Sequence, residues 1–350
     1  MHRRIRQKSK LLATTATLAV AALLASACGN GSSGSSGGSN DEQTTLRYQG
    51  SVGQVTLPEL AADLGYLGPV KLQWIGNTIS GPQDIQAATT GDTDFGGAFN
   101  GAIIKLIAAG APIRSVISYY GVDKDQYTGY YVREDSPIRS ARDLIGKKVG
   151  MNTLGAHTEA VLDTYLKKEG LSSGDIDKVV PTVVPPVNTE QALRAGKIQV
   201  GALGGILRDK ALARGGIRPL FSDYDLYGTF AAGSYVLRTD FIKKNPKTVT
   251  HFVEGVARAL EWTKSHPRDE VVARFTQIID KRNRKEDNAA IKFWKSYGVP
   301  DKGGLITDEN FTRWIDFLRD DGQLKKDVKP ANLYTNEFNP FRPGGPDAGR

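Results

Sequence analysis

Val249, Phe252, Val253, Val256, Ala257 and Leu260 recur at the i, i+3, i+4, i+7, i+8, i+11 spacing of one helical face, and Pro246 precedes them where a first helical turn tolerates it. The same periodicity predicts further helices over about 268–280, 285–297 and 308–321, with no strand pattern from Asp240 onward. Upstream the texture differs. Between Thr44 and Phe221 helical stretches alternate with short β-like runs: TLRYQG (45–50), VKLQWIG (70–76), TDFGG (93–97), IRSVISYYG (113–121), GYYVRE (129–134), KKVGM (147–151), KVVPTVVP (178–185) and IQVGAL (198–203). Such alternation predicts α/β layers. Trp262, Trp294 and Trp314 lie in the helical part and are expected to fill the core beneath it. No fixed-period repeat is visible.

The N-terminus follows neither pattern. A basic start (Arg3, Arg4, Arg6, Lys8, Lys10) precedes the apolar run LLATTATLAVAALLA (11–25) and small residues before Cys28, which is the form of an export signal (1–28). The run is about 15 residues, short of the roughly 20 that a spanning helix needs. A Gly/Ser tract follows it, not a basic stop-transfer segment. Cys28 is the only cysteine, which excludes an intramolecular disulfide, a C-x-x-C redox pair and a cysteine-rich zinc site. LLASAC (23–28) resembles the bacterial lipoprotein signal, whose cysteine becomes the lipid-modified first residue; Ala25 departs from the usual Leu, Val or Ile. GNGSSGSSGGSNDEQ (29–43) has nothing apolar to bury and reads as a flexible tether with a reach of roughly 20 Å. Its GNGSSG (29–34) spells a dinucleotide fingerprint, but no strand precedes it and no helix follows.

Charge changes the picture once it is divided. The net charge is +8, five positive charges fall in the signal with no acid beside them, and the remainder is +3. Lys and Arg are then interspersed with acids, so no basic arm for nucleic acid exists. The residues after the tether suffice for two lobes.

The catalytic inventory is thin. Besides His2, the histidines are His157, His251 and His266, with no H-E-x-x-H, no metal-ligand spacing, no P-loop and no G-x-S-x-G elbow. No metal and no cofactor is expected. What recurs is the strand-loop-helix junction with a small polar helix start. In SGPQ, Ser80 can cap, Pro82 suits the first turn and Gln83 completes a capping box. Asn100 is a good N-cap after DFGGAF, a helix is predicted to begin around Gly155 to Thr158, and Gly204 and Gly205 open another. Each start offers free N–H groups and a dipole end worth about 0.3–1 kcal/mol to an anion. In open α/β sheets such junctions lie at the carboxyl ends of the strands, where ligands bind. Plain capping explains any one junction; four together predict a binding crevice.

Several long stretches carry a family resemblance: SGPQDIQAATTGDTDFGGAFNGAIIKLIAAGAPIRSVISYYG, DSPIRSARDLIGKKVGMNTLGAHTEAVLDTYLKKEGL, TEQALRAGKIQVGALG, FIKKNPKTVTHFVEGVARALEWTKSHP and LRDDGQLKKDVKPANLYTNEF. Together they resemble the solute-binding lipoproteins of ABC importers for aliphatic sulfonates, taurine, nitrate and thiamine-precursor pyrimidines. The resemblance implies a type II periplasmic-binding-protein fold, with two α/β lobes joined by two crossovers and a ligand cleft between them. Lobe 1 is expected at 45–130 plus 229–350 and lobe 2 at 131–228, with hinges near Tyr127 to Tyr131 and Gly228 to Tyr235. It also implies ligand contacts from QGSVGQ (Gln49, Ser51, Gln54), from the first two junctions (Ser80, Gly81, Gln83, Asn100, Gly101), and from TLGAHT (Thr153, Gly155, Ala156, His157, Thr158). Gly204 and Gly205 are expected to leave room for the ligand. One departure bears on the ligand: many sulfonate binders carry Asp, Ala and Trp where this chain reads IQVGALGG, and the acid and the aromatic are both missing.

The expectation is therefore an extracytoplasmic, non-enzymatic receptor, monomeric and held at the membrane through lipidated Cys28. It would bind a small anionic organic solute of aliphatic-sulfonate type and deliver it to an ABC permease and ATPase, with no nucleic-acid partner. Nitrate or a thiamine-precursor pyrimidine is the alternative ligand. A membrane-kinase sensor domain uses the same fold, as do enzymes of pyrimidine and menaquinone biosynthesis, for which His157 would be the acid or base, assisted by Asn152 or Thr158.

Overall fold

The computed structural model describes residues 42–349; the expected export signal, Cys28 and the tether as far as residue 41 lie outside them. The tether's expected last two residues are docked, which corrects its boundary. The Glu42 carboxylate accepts the Thr248 N–H at 2.8 Å, and the Gln43 N–H donates to Asn245 Oδ1 at 2.8 Å. The acid thus sits at the start of a long helix, where the dipole favours it.

A parallel pair, β1 (Thr45–Gly50) and β2 (Lys71–Asn77), is connected through α1 (Leu57–Asp63). Next come α2 (Gly81–Thr90), β3 (Phe95–Phe99), α3 (Asn100–Ala108) and β4 (Ile113–Val122). The chain then crosses at residues 123–127 into β5 (Thr128–Arg133), β6 (Lys148–Met151), α4 (His157–Lys168), α5 (Ser173–Ile176), β7 (Val180–Val183), α6 (Pro186–Arg194), β8 (Val200–Gly204), α7 (Gly205–Ala213), β9 (Ile217–Ser222) and α8 (Asp223–Tyr227). Their five strands form one sheet in the order β7-β6-β8-β5-β9. The chain returns as β10 (Phe230–Arg238), central in a three-stranded antiparallel sheet β3-β10-β4. Helices α9 (Thr239–Lys244), α10 (Pro246–Ser265), α11 (Arg268–Lys281) and α12 (Glu309–Asp320) complete it.

The α10 stripe is buried as its spacing requires: Val249, Phe252, Val253, Val256 and Ala257 are fully covered, packing with Leu46, Phe95 and Phe275. Each large side chain there contributes about 1.5–3 kcal/mol by leaving water. Trp262, Trp294 and Trp314 are all buried. The first crossover is clamped by Arg208, itself buried, which donates to the carbonyls of Tyr127 (3.0 Å) and Asp125 (2.8 Å), pairs with Asp209 (2.7 Å) and lies 3.7 Å from the centre of the Tyr127 ring. No helix among the described residues is long and apolar enough to cross a membrane.

Two features depart from the sequence pattern. Strands β9 and β10 were not predicted. IRPLFS contains a proline, and FAAGSYVLR shows no alternation because eight of its nine residues are buried, with a neighbouring strand on each edge. The helix expected over 285–297 is absent except for a single turn at Ile291–Phe293. Asn283 and Lys285 stand at φ 47° and 54°, the left-handed region, and that breaks the helical path.

Candidate functional site

A cavity of about 360 Å³ is bordered by the β1–α1 loop, by both larger sheets and by residues 291–297. Five strand-to-helix junctions reach it: Thr56 and Leu57 at α1, Gly81 and Pro82 at α2, Phe99 at α3, residues 156–158 at α4, and residues 204–206 at α7. Of these, α2, α3, α4 and α7 start with no side-chain cap bond, and Thr56 caps α1. An uncapped start leaves backbone donors and the positive dipole end available to a ligand.

Among the described residues no Lys, Arg, Asp or Glu borders the cavity. Its polar groups are hydroxyls and amides, from Gln54, Gln126, Thr128, Asn152, Thr158 and Ser296 among others, and much of its apolar wall is aromatic, from Phe99, Tyr119, Tyr120, Tyr235, Trp294 and Tyr297. Consecutive tyrosines would ordinarily point to opposite faces of a strand. In β4 the register against β10 skips Tyr119, pairing Gly233 with Tyr120 and Ser234 with Ser118. This bulge brings both rings to the cavity.

The β1–α1 loop is held by a buried ion network. Glu59 closes a capping box with Thr56 and accepts from Tyr48 (2.7 Å), Arg282 (3.0 Å) and Arg284 (2.8 Å). Arg282 also pairs with Glu286 (2.6 Å), whose carboxylate takes the Gly53 N–H at 2.5 Å. Both guanidiniums near this wall are thus matched by carboxylates and stay out of the cavity lining.

The glycines of DFGG have a packing role. A Cβ on Gly96 would lie 2.5 Å from the Asp84 carbonyl, and one on Gly97 2.8 Å from the Tyr119 ring. They let α2 lie against β3, where Asp84 accepts the Gly97 N–H at 2.7 Å. Burial pushes the Asp84 carboxyl up to about 7.

His157, the first residue of α4, borders the cavity and stacks on Phe99, with ring centres 5.2 Å apart and planes at 16°. Tyr120, Phe230 and Trp314 surround it at 5.9–6.1 Å. Its Nε2 faces Asp223 Oδ2 at 3.5 Å, and each of these two buried atoms lacks any other partner. Asp223 Oδ1 accepts the Thr128 N–H at 2.9 Å. Burial lowers the imidazole to about 4 and raises the Asp223 carboxyl to about 7.

Of the predicted contacts, Ser51, Gln54, Gly81, Ala156, His157, Thr158, Gly204 and Gly205 border the cavity; Gln49, Ser80, Gln83, Asn100, Gly101, Thr153 and Gly155 do not. Ser80 makes no cap bond and Gln83 is exposed, so the expected capping box is not formed. Asn100 is not an N-cap. It is the first residue of α3, fully buried, donating to the Asn310 carbonyl (3.0 Å) and accepting from Ser234 (2.8 Å). Gly101 lies beneath the Phe99 ring. Thr153 turns to the Leu154 carbonyl, and Gly155 accepts from Lys105 at 2.8 Å. Gln49 keeps its Oε1 buried without a partner. Sequence reasoning missed the tyrosine pair, Trp294, Tyr297 and Asp223. The adjacent tyrosines of SYYG were the one legible signal.

A family model described as NMT1/THI5 like matches residues 76–270, more than half of the chain. An Escherichia coli (strain K12) protein described as binding aliphatic sulfonates is 29% identical over 221 residues, 62% of this chain and 65% of that protein. The riboflavin-binding protein RibY of Chloroflexus aurantiacus is 25% identical over 243 residues, 66% of each chain. The chain thus spans just under two thirds of the length of these curated relatives, both of them binding proteins. Among solved structures, the alkanesulfonate-binding protein SsuA of Xanthomonas axonopodis pv. citri, bound to MOPS, matches with a TM-score of 0.66 at 21% identity, covering 84% of this chain and 99% of that one. At that identity the likeness concerns the fold, which is the type II periplasmic-binding-protein fold.

Proposed function

From the membership of this chain in the NMT1/THI5-like family, we propose that it is the extracytoplasmic solute-binding component of an ABC importer. It takes a small organic anion of sulfonate type into the cavity and hands it to a permease and ATPase. The observation that carries this reading is a cavity bordered by four uncapped helix starts and by no charged side chain among the described residues. Such a site neutralises an anion with backbone dipoles and releases it without breaking an ion pair. Lobes at 45–130 plus 229–350 and at 131–228 would close on the ligand about the two crossovers, and Cys28 would carry the lipid anchor.

The aromatic wall favours a second ligand in the same role. Phe99, Tyr119, Tyr120 and Trp294 suit a flat heteroaromatic ring such as a thiamine-precursor pyrimidine or a flavin, and a riboflavin-binding relative supports it. An enzymatic reading would rest on His157, whose Nε2 is turned to Asp223. Isothermal titration against alkanesulfonates, taurine, nitrate, pyrimidine precursors and riboflavin decides among these. A micromolar dissociation constant, about −8 kcal/mol, is expected for one class; no binding to any member of the panel overturns the reading. Recovery of the bound solute unchanged after long incubation is expected for a receptor, and conversion would point to an enzyme.

A further inference from the structure

We propose that Asp223 is a positioning residue that fixes the tautomer of His157, so that a neutral imidazole donates its Nδ1–H to an oxygen of the ligand. The geometry requires some proton arrangement here. Nε2 and Oδ2 face each other at 3.5 Å, both buried, and neither has another partner. A bare carboxylate oxygen beside an imidazole lone pair in that position would be two acceptors without a donor, a costly arrangement. A single proton between them can sit on either atom, and burial favours the arrangement that keeps both groups neutral: Oδ2–H donates to Nε2, and the imidazole's own proton then resides on Nδ1. The buried edge of the ring is thereby tied to Asp223, and Nδ1 is left as the ring's donor on the cavity that His157 borders.

Ionisation of the dyad reverses the polarity. When the pair loses one proton, the carboxylate draws the remaining ring proton to Nε2, and Nδ1 is left as a bare acceptor. The proton released is, in net terms, the one that had pointed at the ligand. An anion or carbonyl oxygen then meets a lone pair in place of a donor. No other group bonds to the two facing atoms, although Arg313 lies over the Tyr227 and Phe230 rings and Asp163, itself raised to about 7, lies farther along α4. The Arg208 guanidinium acts on Asp223 but is paired with Asp209. Tyr120, Tyr130 and Tyr227 are phenols whose ionisation burial pushes upward, so they stay neutral. The rings around His157 carry no charge.

The substitution Asp223→Asn separates this role from simple packing. Because Oδ1 receives the Thr128 N–H at 2.9 Å, the amide must keep its oxygen there and present its NH₂ to Nε2. That locks the Nδ1–H tautomer at every pH. The test is two-dimensional ¹⁵N NMR of the histidine rings in the purified protein, with His157 assigned by the loss of its signal in His157→Phe. The wild type is expected to show Nδ1–H at pH 6 and Nε2–H at pH 9, and Asp223→Asn to show Nδ1–H at both. Ethanesulfonate and benzenesulfonate, whose charge is constant over this range, are expected to bind the wild type about tenfold more weakly at pH 9 than at pH 6, and Asp223→Asn with a flat profile. An Nε2–H ring at pH 6, or the same pH profile in wild type and Asp223→Asn, overturns the inference. The binding arm rests on the cavity being the ligand site, and the tautomer arm does not. A tautomer switch with no sulfonate bound would therefore support the dyad and count against the proposed ligand.

Discussion

The two walls of the cavity solve the problem of buried polarity in opposite ways. On the β1–α1 side, Glu59 is buried and Glu286, Arg282 and Arg284 largely so, each matched by an opposite charge. On the α4 side, the facing atoms of His157 and Asp223 are buried with no partner but each other, and burial drives both groups toward their neutral forms. The first arrangement holds a loop in one place but leaves little room for adjustment, because removing one member strands the others. The second costs less to desolvate and can change state with one proton.

The largest expected effect lies on the charged wall. Glu59→Gln leaves the largely buried Arg284 without a carboxylate and Arg282 with Glu286 alone, and is expected to lower stability by about 3 kcal/mol in urea unfolding. A loss comparable to that of a surface residue would mean that the network is not what holds the loop.

Backbone geometry gives the next contrast. Gly53 at φ +65° in the β1–α1 loop and Gly155 at φ +70° just before α4 are both in the left-handed region. A Cβ on Gly53 meets the Asp287 carbonyl at 2.9 Å, whereas one on Gly155 meets only the Lys105 ammonium at 3.1 Å, the far end of a flexible chain. Gly53→Ala should cost more than the roughly 1–2 kcal/mol expected from the left-handed conformation alone, and Gly155→Ala no more than that. Equal melting temperatures for the two variants would break the distinction.

Acidity sharpens it further. Asp84, Asp163 and Asp223 are each raised to about 7 by burial, so between about pH 4 and 7 the folded state binds more protons than the unfolded. The stability they contribute is present at low pH and is lost as pH rises through 7. His157, lowered to about 4, has the opposite sign and loses stability as pH falls below its ordinary value near 6.5. Three groups outweigh one, and the lowered carboxyls of Asp94 and Asp321 enter only below pH 4. The melting temperature is therefore expected to be higher at pH 5.5 than at pH 8, and Asp223→Asn should shrink that difference. The smallest effect is expected at Gln83: it is exposed and closes no capping box, so Gln83→Ala should stay within about 0.5 kcal/mol of wild type.

Much of the scaffold was legible because local signals carried it. The α10 stripe, the runs that became β1 to β8, and the small residues at the starts of α2, α4 and α7 all follow from period and turn chemistry. Asn100 misled for the same reason. Its side chain suits a cap, yet two buried hydrogen bonds to residues far along the chain give it another role. Strand β10 escaped notice because a strand buried along nearly its whole length has no alternation to read.

By itself, then, the sequence determined an α/β body with glycine and small polar helix starts at its junctions, because those are one-dimensional properties of backbone and side-chain size. Only the tertiary structure decided the chemistry of the site. A strand bulge turned Tyr119 and Tyr120 to one cavity, and a buried carboxylate network kept Arg282 and Arg284 out of it. The packing of α8 against α4 and β5 set Asp223 beside His157. Each of those outcomes depends on which distant groups share a volume from which water is excluded, and no local pattern encodes that.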